Sequence, residues 1–584
     1  MLGKRSDQRG LFEADHLYLD FIGRDSFYGF LADQRGKLFR DAEFAALYVL
    51  DNGRPSVPPS LLATVLLLQT HDRVSDEEAT ARATFDLRWK AALGLPLETR
   101  PFVKSTLQLF RAQLIVHAEL QAVFKKSLTF ARQTGYLKNR TIKVALDTTN
   151  IFGRGAVRDT YNLLADGIVK LARALAALGE GKVDAWLQTH DLARYGGASL
   201  KGEAGIDWES VPARQALLTG IVADADRLLE MARQTLADLT PNTPTHTLIS
   251  DGATLLGQIL LQDVERIEDG ARIIDGVAAD RVVSVHDPDM RHGRKSASKR
   301  FDGHKAAIAV DPDSQLITAA TVLAGNAPDK TEALQLVEQS EANAEVVVDE
   351  AIADCAYGDG PTRQEFADAG RTLMAKVPGR PHTASFAKED FAIDPVAKTW
   401  TCPAGHTCTT RAVLKSFTDG RGARQILHGF RFAPALCAAC PLRPQCVRAG
   451  PGKGRTVSLH PQEALLQQDR TFQHSPAFAP YRRLRQVAKH RIARLVHLGI
   501  RQARSVGRAK TLGQVLLAAT VANLTLVATR VGLMRSPTRE PFRHRETVSR
   551  SFPTGILAFL TGLLPLLDLN PRTGLPEAGC RPSF

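Results

Sequence analysis

The chain has 584 residues, of which 44% are hydrophobic and 23% are charged. Such a length predicts two to four domains, and such a composition excludes a disordered protein. The formal net charge of +13 favours a polyanionic partner, with nucleic acid first, although a basic average can also serve solubility alone.

Targeting and redox signals predict a cytoplasmic protein. The start of the chain, MLGKRSDQRGLFEADH, contains no apolar segment of the kind found in signal peptides. The best apolar run, 556–566, is short and is interrupted by Gly562 and Pro565, so we expect no membrane span. Seven cysteines in a chain of this size argue against a disulfide framework.

Residues 1–135 are predicted to form a helical N-terminal domain. The apolar run 60–69 predicts one helix, and Ser75 begins a second helix through Trp89 as the first residue of a capping box. Apolar residues at helical spacing predict a third helix over 103–126. The first two helices resemble a helix-turn-helix, which would bind DNA, but a small helical bundle accounts for the same pattern.

The part from 140 to 535 predicts a mixed α/β sheet. A strand over 141–147 is followed by a largely helical insertion at about 155–275. The sheet then resumes with strands at 281–285, 306–310 and 316–322, a helix from about 329 to 341, a strand leading to Asp354, a helix at 361–370 and a strand at 372–377. Apart from the insertion, this order is similar to that of ribonuclease H-like domains.

Two aspartates follow buried β runs. Asp147 comes after Val-Ala-Leu, and Asp354 comes after an apolar strand in EVVVDEAIAD. Two carboxylates at strand ends in one sheet can hold the divalent cations that activate and stabilise oxygens during phosphodiester cleavage. For either residue alone we favour a turn or N-cap role, but both together in this order of elements favour metal binding. Asp349 and Glu350 are alternative ligands.

A cysteine cluster predicts a structural zinc site within an insert at about 395–450. Its four predicted ligands are Cys402, Cys437, Cys440 and Cys446. The C-x2-C spacing and full sulfur ligation suit a closed tetrahedral site, which leaves no open position for catalysis. His406 or Cys408 could replace one ligand, and unligated thiols are the alternative.

A basic helix is predicted over 481–510. Its cations are Arg482, Arg483, Arg485, Lys489, Arg491 and Arg494, and no Asp or Glu occurs between Asp469 and Glu540. A charged run is usually a solvated face, but such one-sided charge favours contact with DNA phosphates. Lys295 and Arg300, in the basic loop 291–305, support the same interpretation.

Taken together, these segments resemble a bacterial insertion-sequence transposase of the DDE type. The resemblance extends to about residue 530 and covers the branch with an N-terminal helical domain, an interrupted ribonuclease H-like domain and a four-cysteine insert. The motifs that carry it are SVPPSLLATVLLLQ, VALDTTN, DTYNLLADGI, DPDMRHGRKS, FDGHKAAIAVD, ADCAYGDG, CPAGH, CAACPLRPQC, RQVAKHRIARL and IRQAR.

The resemblance implies a function and a site. Asp147 and Asp354 would be the first and second metal-binding aspartates, with Mg²⁺ or Mn²⁺ as cofactor. The protein would bind the terminal inverted repeats of its element and target DNA, cleave at the ends and transfer the freed 3′-hydroxyl. It further implies a homo-oligomer that is associated with the nucleoid and not with a membrane.

Two positions depart from the family, and one of them is Ser505, which follows the RQAR run where the family has a tyrosine. The family carries its catalytic glutamate in an R-x3-E pattern on the final helix, and here Arg485 is followed by Lys489. An ammonium group cannot bind a metal ion, so we expect impaired catalysis. The first alternative is an inactive DNA-binding remnant of a transposase. A zinc-containing nucleic-acid-binding protein unrelated to transposition is the other, and the strand-end aspartates count against it. The tail 540–584 matches no pattern.

Overall fold

Most of the chain before residue 536 is described by a computed structural model. The described residues are 1–5, 13–49, 53–179, 181–296, 298–379, 386–394, 397–418, 424–450 and 452–535. The predicted tail 540–584, with its apolar run, lies outside them. The fold is mixed α/β, as expected.

Helices α1 to α7 precede the sheet. They span Ala14–Ile22, Phe27–Asp33, Pro59–Asp72, Asp76–Phe85, Leu87–Leu93, Lys104–Val116 and Leu120–Gln133. Ser75 caps α4, as predicted, because its side chain accepts a hydrogen bond from the Glu78 amide at 3.1 Å. The second predicted helix is nevertheless two helices, since Asp86 has extended backbone and caps α5. The third predicted helix is also two, because Ala118 adopts a φ of 55° between α6 and α7.

The α3–α4 pair favours the helical-bundle interpretation over DNA reading. Nearly all of α3 is buried, and it packs against the rest of the main core. Three acidic residues, Asp76, Glu77 and Glu78, form the first turn of α4. In a helix-turn-helix the start of the second helix faces the bases, where these carboxylates would repel DNA phosphates.

A six-stranded mixed sheet follows. Its strands are β1 (Thr141–Phe152), β4 (Arg291–Arg294), β5 (Arg300–Val310), β6 (Ile317–Ala324), β7 (Val347–Ile352) and β8 (Thr372–Met374). The order is β4-β5-β1-β7-β8, and β6 pairs with β5 on the same edge as β4. β5 is antiparallel to β1, β4 and β6, whereas β7 and β8 run parallel to β1. Helices α13 (Ala333–Ala344) and α14 (Gly360–Asp368) flank β7 in the chain.

Two predictions about this sheet are wrong. Residues 281–285 form no strand, although Val282, Val283 and Val285 are buried. Their apolar run packs beneath the insertion instead of joining the ladder, since Val282 and Val285 belong to its core. The first strand does not end at Asp147 but continues to Phe152, because β5 pairs with it over this whole stretch.

The insertion between β1 and β4 has a hydrophobic core of its own. Its elements are α8 (Thr160–Ala176), α9 (Val183–Thr189), α10 (Leu200–Glu203), α11 (Val211–Asp238), α12 (Pro244–Asp263) and the hairpin β2 (Val264–Ile267) and β3 (Gly270–Ile273). The three long helices pack on one another through residues such as Leu171, Ile221 and Leu256. Residues 155–275 carry 18 acidic and 11 basic side chains, in contrast to the basic remainder.

The cysteine-rich insert follows β8 and is built from short strands. One sheet contains β9 (Ala392–Asp394), β10 (Thr399–Thr401) and β11 (Thr407–Cys408), and another contains β12 (Arg411–Thr418), β13 (Arg424–Arg431) and β14 (Thr456–Leu459). Two short helices, α15 (Pro434–Ala438) and α16 (Arg443–Cys446), precede β14. Trp400 stacks on Phe430 in a small separate core.

The predicted single basic helix 481–510 is also wrong. After α17 (Glu463–His474) the chain forms α18 (Ala479–Leu484), α19 (Gln486–His497) and α20 (Arg508–Arg530). Gly499 and Gly507, with φ of 96° and 94°, bound the turn that separates α19 from α20. Among the described helices, α20 is long and apolar enough to cross a membrane, but 78% of its apolar window is buried in the protein. It packs against α3, α7 and β6 as a core helix.

Candidate active site

The register of β1 and β7 brings the two predicted aspartates together. Ala145 of β1 is paired with Ile352, the last residue of β7. Asp147 and Asp354 each lie two residues beyond that pair, in parallel chains, so they reach the same level of the sheet side by side. Beyond this point β1 remains paired with β5 but no longer with β7, which leaves a notch in the sheet on the β7 side of β1.

Local hydrogen bonds orient both carboxylates. Asp147 accepts a hydrogen bond from the Thr148 amide at 2.9 Å, and Asp354 accepts one from the Ala356 amide at 2.8 Å. Both side chains are half-buried. Each carboxylate accepts only one of these bonds and retains further lone pairs with which it could bind a cation.

Cations from α18 and α19 face the two carboxylates. Arg485, at the junction of these helices, forms an ion pair with Asp354 at 3.7 Å. Lys489 is exposed one helical turn later and makes no ion pair or hydrogen bond with any described residue. Burial raises the pKa of Asp147; the Thr148 amide opposes this, the charge of Asp354 adds to it, and Lys489 and Arg485 lower it. Lys489 thus lies close enough to act on Asp147 electrostatically.

A buried tyrosine was missed by sequence reasoning. Tyr357 is only 2% exposed, and burial raises its pKa well above the ordinary value, as do the charges of Asp329, Asp147 and Asp354. The raised pKa keeps its phenol uncharged, so it adds no negative charge near the two aspartates. The one sequence signal for a role of Tyr357 at the site is its position three residues after Asp354, in ADCAYGDG.

The alternative ligands Asp349 and Glu350 lie elsewhere on β7. Glu350 forms an ion pair with Lys143 at 2.6 Å and accepts a hydrogen bond from the Tyr481 hydroxyl at 3.0 Å. Asp349 is exposed on the opposite side of the strand. Neither carboxylate is brought to the notch beside Asp147.

The chemistry of this donor set fits one divalent cation in part. Asp147 and Asp354 offer carboxylate oxygens, which Mg²⁺ and Mn²⁺ prefer. Across from them, Arg485 and Lys489 offer only positive charge. Among the described residues, no group of three or more His, Cys, Asp or Glu side chains is arranged to hold a metal ion. These residues therefore do not supply the third carboxylate ligand of a two-metal site.

The predicted DNA contacts divide into surface and buried residues. Arg482 and Arg483 are exposed and Arg485 is half-buried. Arg491 is 7% exposed and donates to the Ala522 carbonyl of α20 at 2.8 Å, and burial lowers its pKa to about 10. This face of α19 packs on α20, which counts against the predicted contact of Arg491 with DNA; that contact stays a prediction.

The other predicted contacts have mixed exposure. Arg494 is half-buried, and burial lowers its pKa. Lys295 and Arg300 are exposed at the turn of the β4–β5 hairpin. Lys295 and Arg300 are therefore the more accessible of these three side chains.

The four predicted zinc ligands line one small cavity. Cys402, Cys437, Cys440 and Cys446 surround a space of about 20 Å³ together with His406. This is enough for one water-sized sphere. Burial raises the pKa of the Cys446 thiol, and the other three thiols add to the shift.

Cys408, offered as a replacement ligand, is not part of this cavity. Its sulfur contacts the Arg431 carbonyl at 3.3 Å, while His406 lies on the cavity wall. The absence of a metal-holding group among the described residues applies to these cysteines as well, so zinc binding stays a prediction.

Two segments of the chain match known protein families. Residues 20–113 match a family described as a transposase domain (DUF772), and residues 401–528 match a family described as a transposase DDE domain. The second match includes the cysteines and Lys489, whereas Asp147 and Asp354 lie outside both. No curated protein and no solved structure matches the chain. Two separate segments thus match transposase families, which confirms the resemblance to DDE transposases of insertion sequences.

Proposed function

We propose that this protein is the transposase of a bacterial insertion sequence, that it binds the ends of its element, and that Lys489 impairs its cleavage and strand-transfer chemistry. The observation that carries this proposal is the meeting of Asp147 and Asp354 at one notch of the sheet, opposite Arg485 and Lys489. The transposase family matches support the general class.

A ribonuclease H-like fold is part of the proposal. Two observations support it. Strands β6, β5, β1, β7 and β8 lie side by side in that order, and β5 is the one strand of these five that runs antiparallel to the other four. The carboxylates come from the central strand and from the exit of the next parallel strand. This is the position from which carboxylates can share a cation in front of a DNA phosphate.

DNA binding is supported by the distribution of charge. Exposed cations on α18 and the β4–β5 hairpin include Arg482, Lys295 and Arg300. The insertion carries an excess of acidic residues, which repel DNA phosphates. We therefore propose that DNA lies along the basic elements, away from the insertion. Because an element has two ends, we also propose a homo-oligomer that holds both.

Metal requirements form the third part. Asp147 and Asp354 would hold Mg²⁺ or Mn²⁺, and Cys402, Cys437, Cys440 and Cys446 would hold a structural Zn²⁺. The shared cavity of the four cysteines and the C-x2-C spacing support the zinc site. The carboxylate pair would bind its cation weakly in the natural chain, because two positive side chains face it.

The test compares the natural chain with Lys489→Glu, in Mg²⁺ or Mn²⁺, on labelled DNA that carries the sequences flanking its gene. Gel shift measures binding and denaturing gels measure cleavage. We expect both proteins to bind these ends and only Lys489→Glu to cut them. A matched control, Lys489→Glu with Asp354→Asn, should bind and not cut.

An inactive DNA-binding remnant is the second candidate, and Lys489 is the observation that favours it. Binding by both proteins with no cleavage by either would support the remnant, since further parts of the site would then be lost. Cleavage by the natural chain would contradict the assigned role of Lys489. Absence of binding to the flanking ends would contradict the proposed function itself.

A further inference from the structure

A cavity of about 320 Å³ lies apart from the two aspartates, between the N-terminal helices and the turn that precedes α20. Its walls come from the α3–α4 connection, from α6, and from residues 498–517. Ligand sites in proteins begin at about this size. The predicted DNA contacts and the metal sites use none of the residues that line it.

Cations outnumber acids around this cavity. Its charged lining residues are Lys104, Arg111, Arg154, Arg504 and Lys510, against Asp76 and Glu77. Both acids are already paired. Arg111 binds Asp76 through two nitrogens, at 2.7 and 3.1 Å, and Lys104 lies 3.7 Å from Glu77.

Three cations remain without an acidic partner among the described residues. Arg154 donates to the Arg504 carbonyl at 2.8 Å, and Arg504 donates to the Val74 carbonyl at 2.6 Å. Lys510 makes no hydrogen bond or ion pair with any described residue. Like charges at one cavity repel each other, so their common position favours an anionic ligand.

Part of the lining is apolar. Ile115, Leu120, Leu498 and Leu517 supply aliphatic surface, and Ser505 adds a hydroxyl group to the same cavity. Such a surface suits the flat face of a nucleobase, while the cations suit a phosphate. A ligand with one anionic end and one flat apolar end therefore matches the whole cavity better than a free inorganic anion.

We propose that this cavity binds a nucleoside phosphate, supplied either by an unpaired nucleotide of bound DNA or by a free nucleotide. The DNA source rests on the proposed function. Arg154 follows Asp147 by seven residues along and just beyond β1, at most about 23 Å away at 3.3 Å per residue. A DNA strand advances 3.4 Å per nucleotide, so the cavity would lie up to about seven nucleotides from the aspartates.

Calorimetry tests the site itself, with thymidine 5′-monophosphate, thymidine and inorganic phosphate as probes. We expect the monophosphate to bind once per chain, at least tenfold more tightly than either other probe. Lys510→Gln and Arg154→Gln should each weaken this binding several-fold. Lys182→Gln, which removes an exposed charge in the insertion, should leave it unchanged. Equal binding by all four proteins, or no binding of the monophosphate by the natural chain, would overturn the proposal.

Photocrosslinking distinguishes the two sources. A duplex that carries one unpaired 5-iodouracil nucleotide is compared with the same duplex fully paired, and the crosslinked peptide is identified. A crosslink to residues 498–517 from the unpaired nucleotide alone supports the DNA source. With no such crosslink, monophosphate binding that depends on Lys510 supports a free nucleotide. Duplex affinity of the natural chain, measured in parallel, reports on the proposed function, whereas the calorimetry does not depend on DNA binding.

Discussion

Replacing Lys489 with glutamate should create a divalent-metal site. An ammonium group about 4 Å from a divalent cation is repelled by roughly 8 kcal/mol at an effective dielectric constant of 20. Lys489 is exposed, so it can turn into water, and we expect roughly 2–3 kcal/mol of that repulsion to be felt. Removing it and adding a carboxylate beside Asp147 and Asp354 should tighten the dissociation constant for Mn²⁺ by roughly 30- to 150-fold.

Isothermal calorimetry with Mn²⁺ measures this change directly. Lys489→Gln is the matched control, because it removes the positive charge without adding a ligand, and its affinity should fall between the other two. Lys489→Glu combined with Asp354→Asn should lose the gain. If the natural chain and Lys489→Glu bind Mn²⁺ equally well, Lys489 does not face the metal position and the reasoning is refuted.

Three further predictions follow from burial, thiol geometry and charge. Asp147→Asn should raise the melting temperature near pH 7, because burial raises the pKa of Asp147 in the folded state. The contribution of Asp147 to stability is present below its pKa in the unfolded chain, and it is lost as the pH rises through its pKa in the folded protein. Thermal melts from pH 3 to 8 check this, and a gain that persists below about pH 4 would contradict it. Cys437→Ser should lower bound zinc in elemental analysis, whereas Cys355→Ser, at an exposed cysteine, should not. Arg491→Ala should destabilise the fold by about 1–3 kcal/mol in urea titrations, since it removes the buried hydrogen bond from the guanidinium group to the Ala522 carbonyl. Arg482→Ala should weaken DNA binding without a comparable loss of stability.

The sequence was sufficient for the order of the main elements but not for their ends. The period of apolar residues and the DPDSQ turn predict the β5–β6 hairpin correctly. The apolar run 281–285 looks like a strand because burial alone produces the same pattern. Whether it pairs depends on neighbours that are distant in the chain. The break in the helix at Ala118 depends on a left-handed backbone conformation, and no glycine or proline at this position indicates it in the sequence.

The candidate site shows a similar division. The notch is implied by two apolar runs that each lead to an aspartate, because parallel register brings residues at equal offsets together. The sequence alone does not show that Arg491 is buried while Arg482 is exposed, since both belong to one basic run. The separation requires knowing that α20 covers one face of α19. The cation-lined cavity cannot be predicted from the sequence because its parts come from segments that are far apart in the chain, and the burial of Tyr357 depends on the folded structure.

The separate cores of the sheet and of the insertion have a consequence for folding during synthesis. The core of the insertion uses residues from Tyr161 to Val285, so it can form once that segment has been translated. The main core joins Phe27 to Ala528, and β1 must wait for β5 and β7, which come more than 140 residues after it begins. The inserted helices can therefore fold while β1 still has an unpaired edge. The aspartate pair can therefore be assembled only after β7 and Asp354 have been translated.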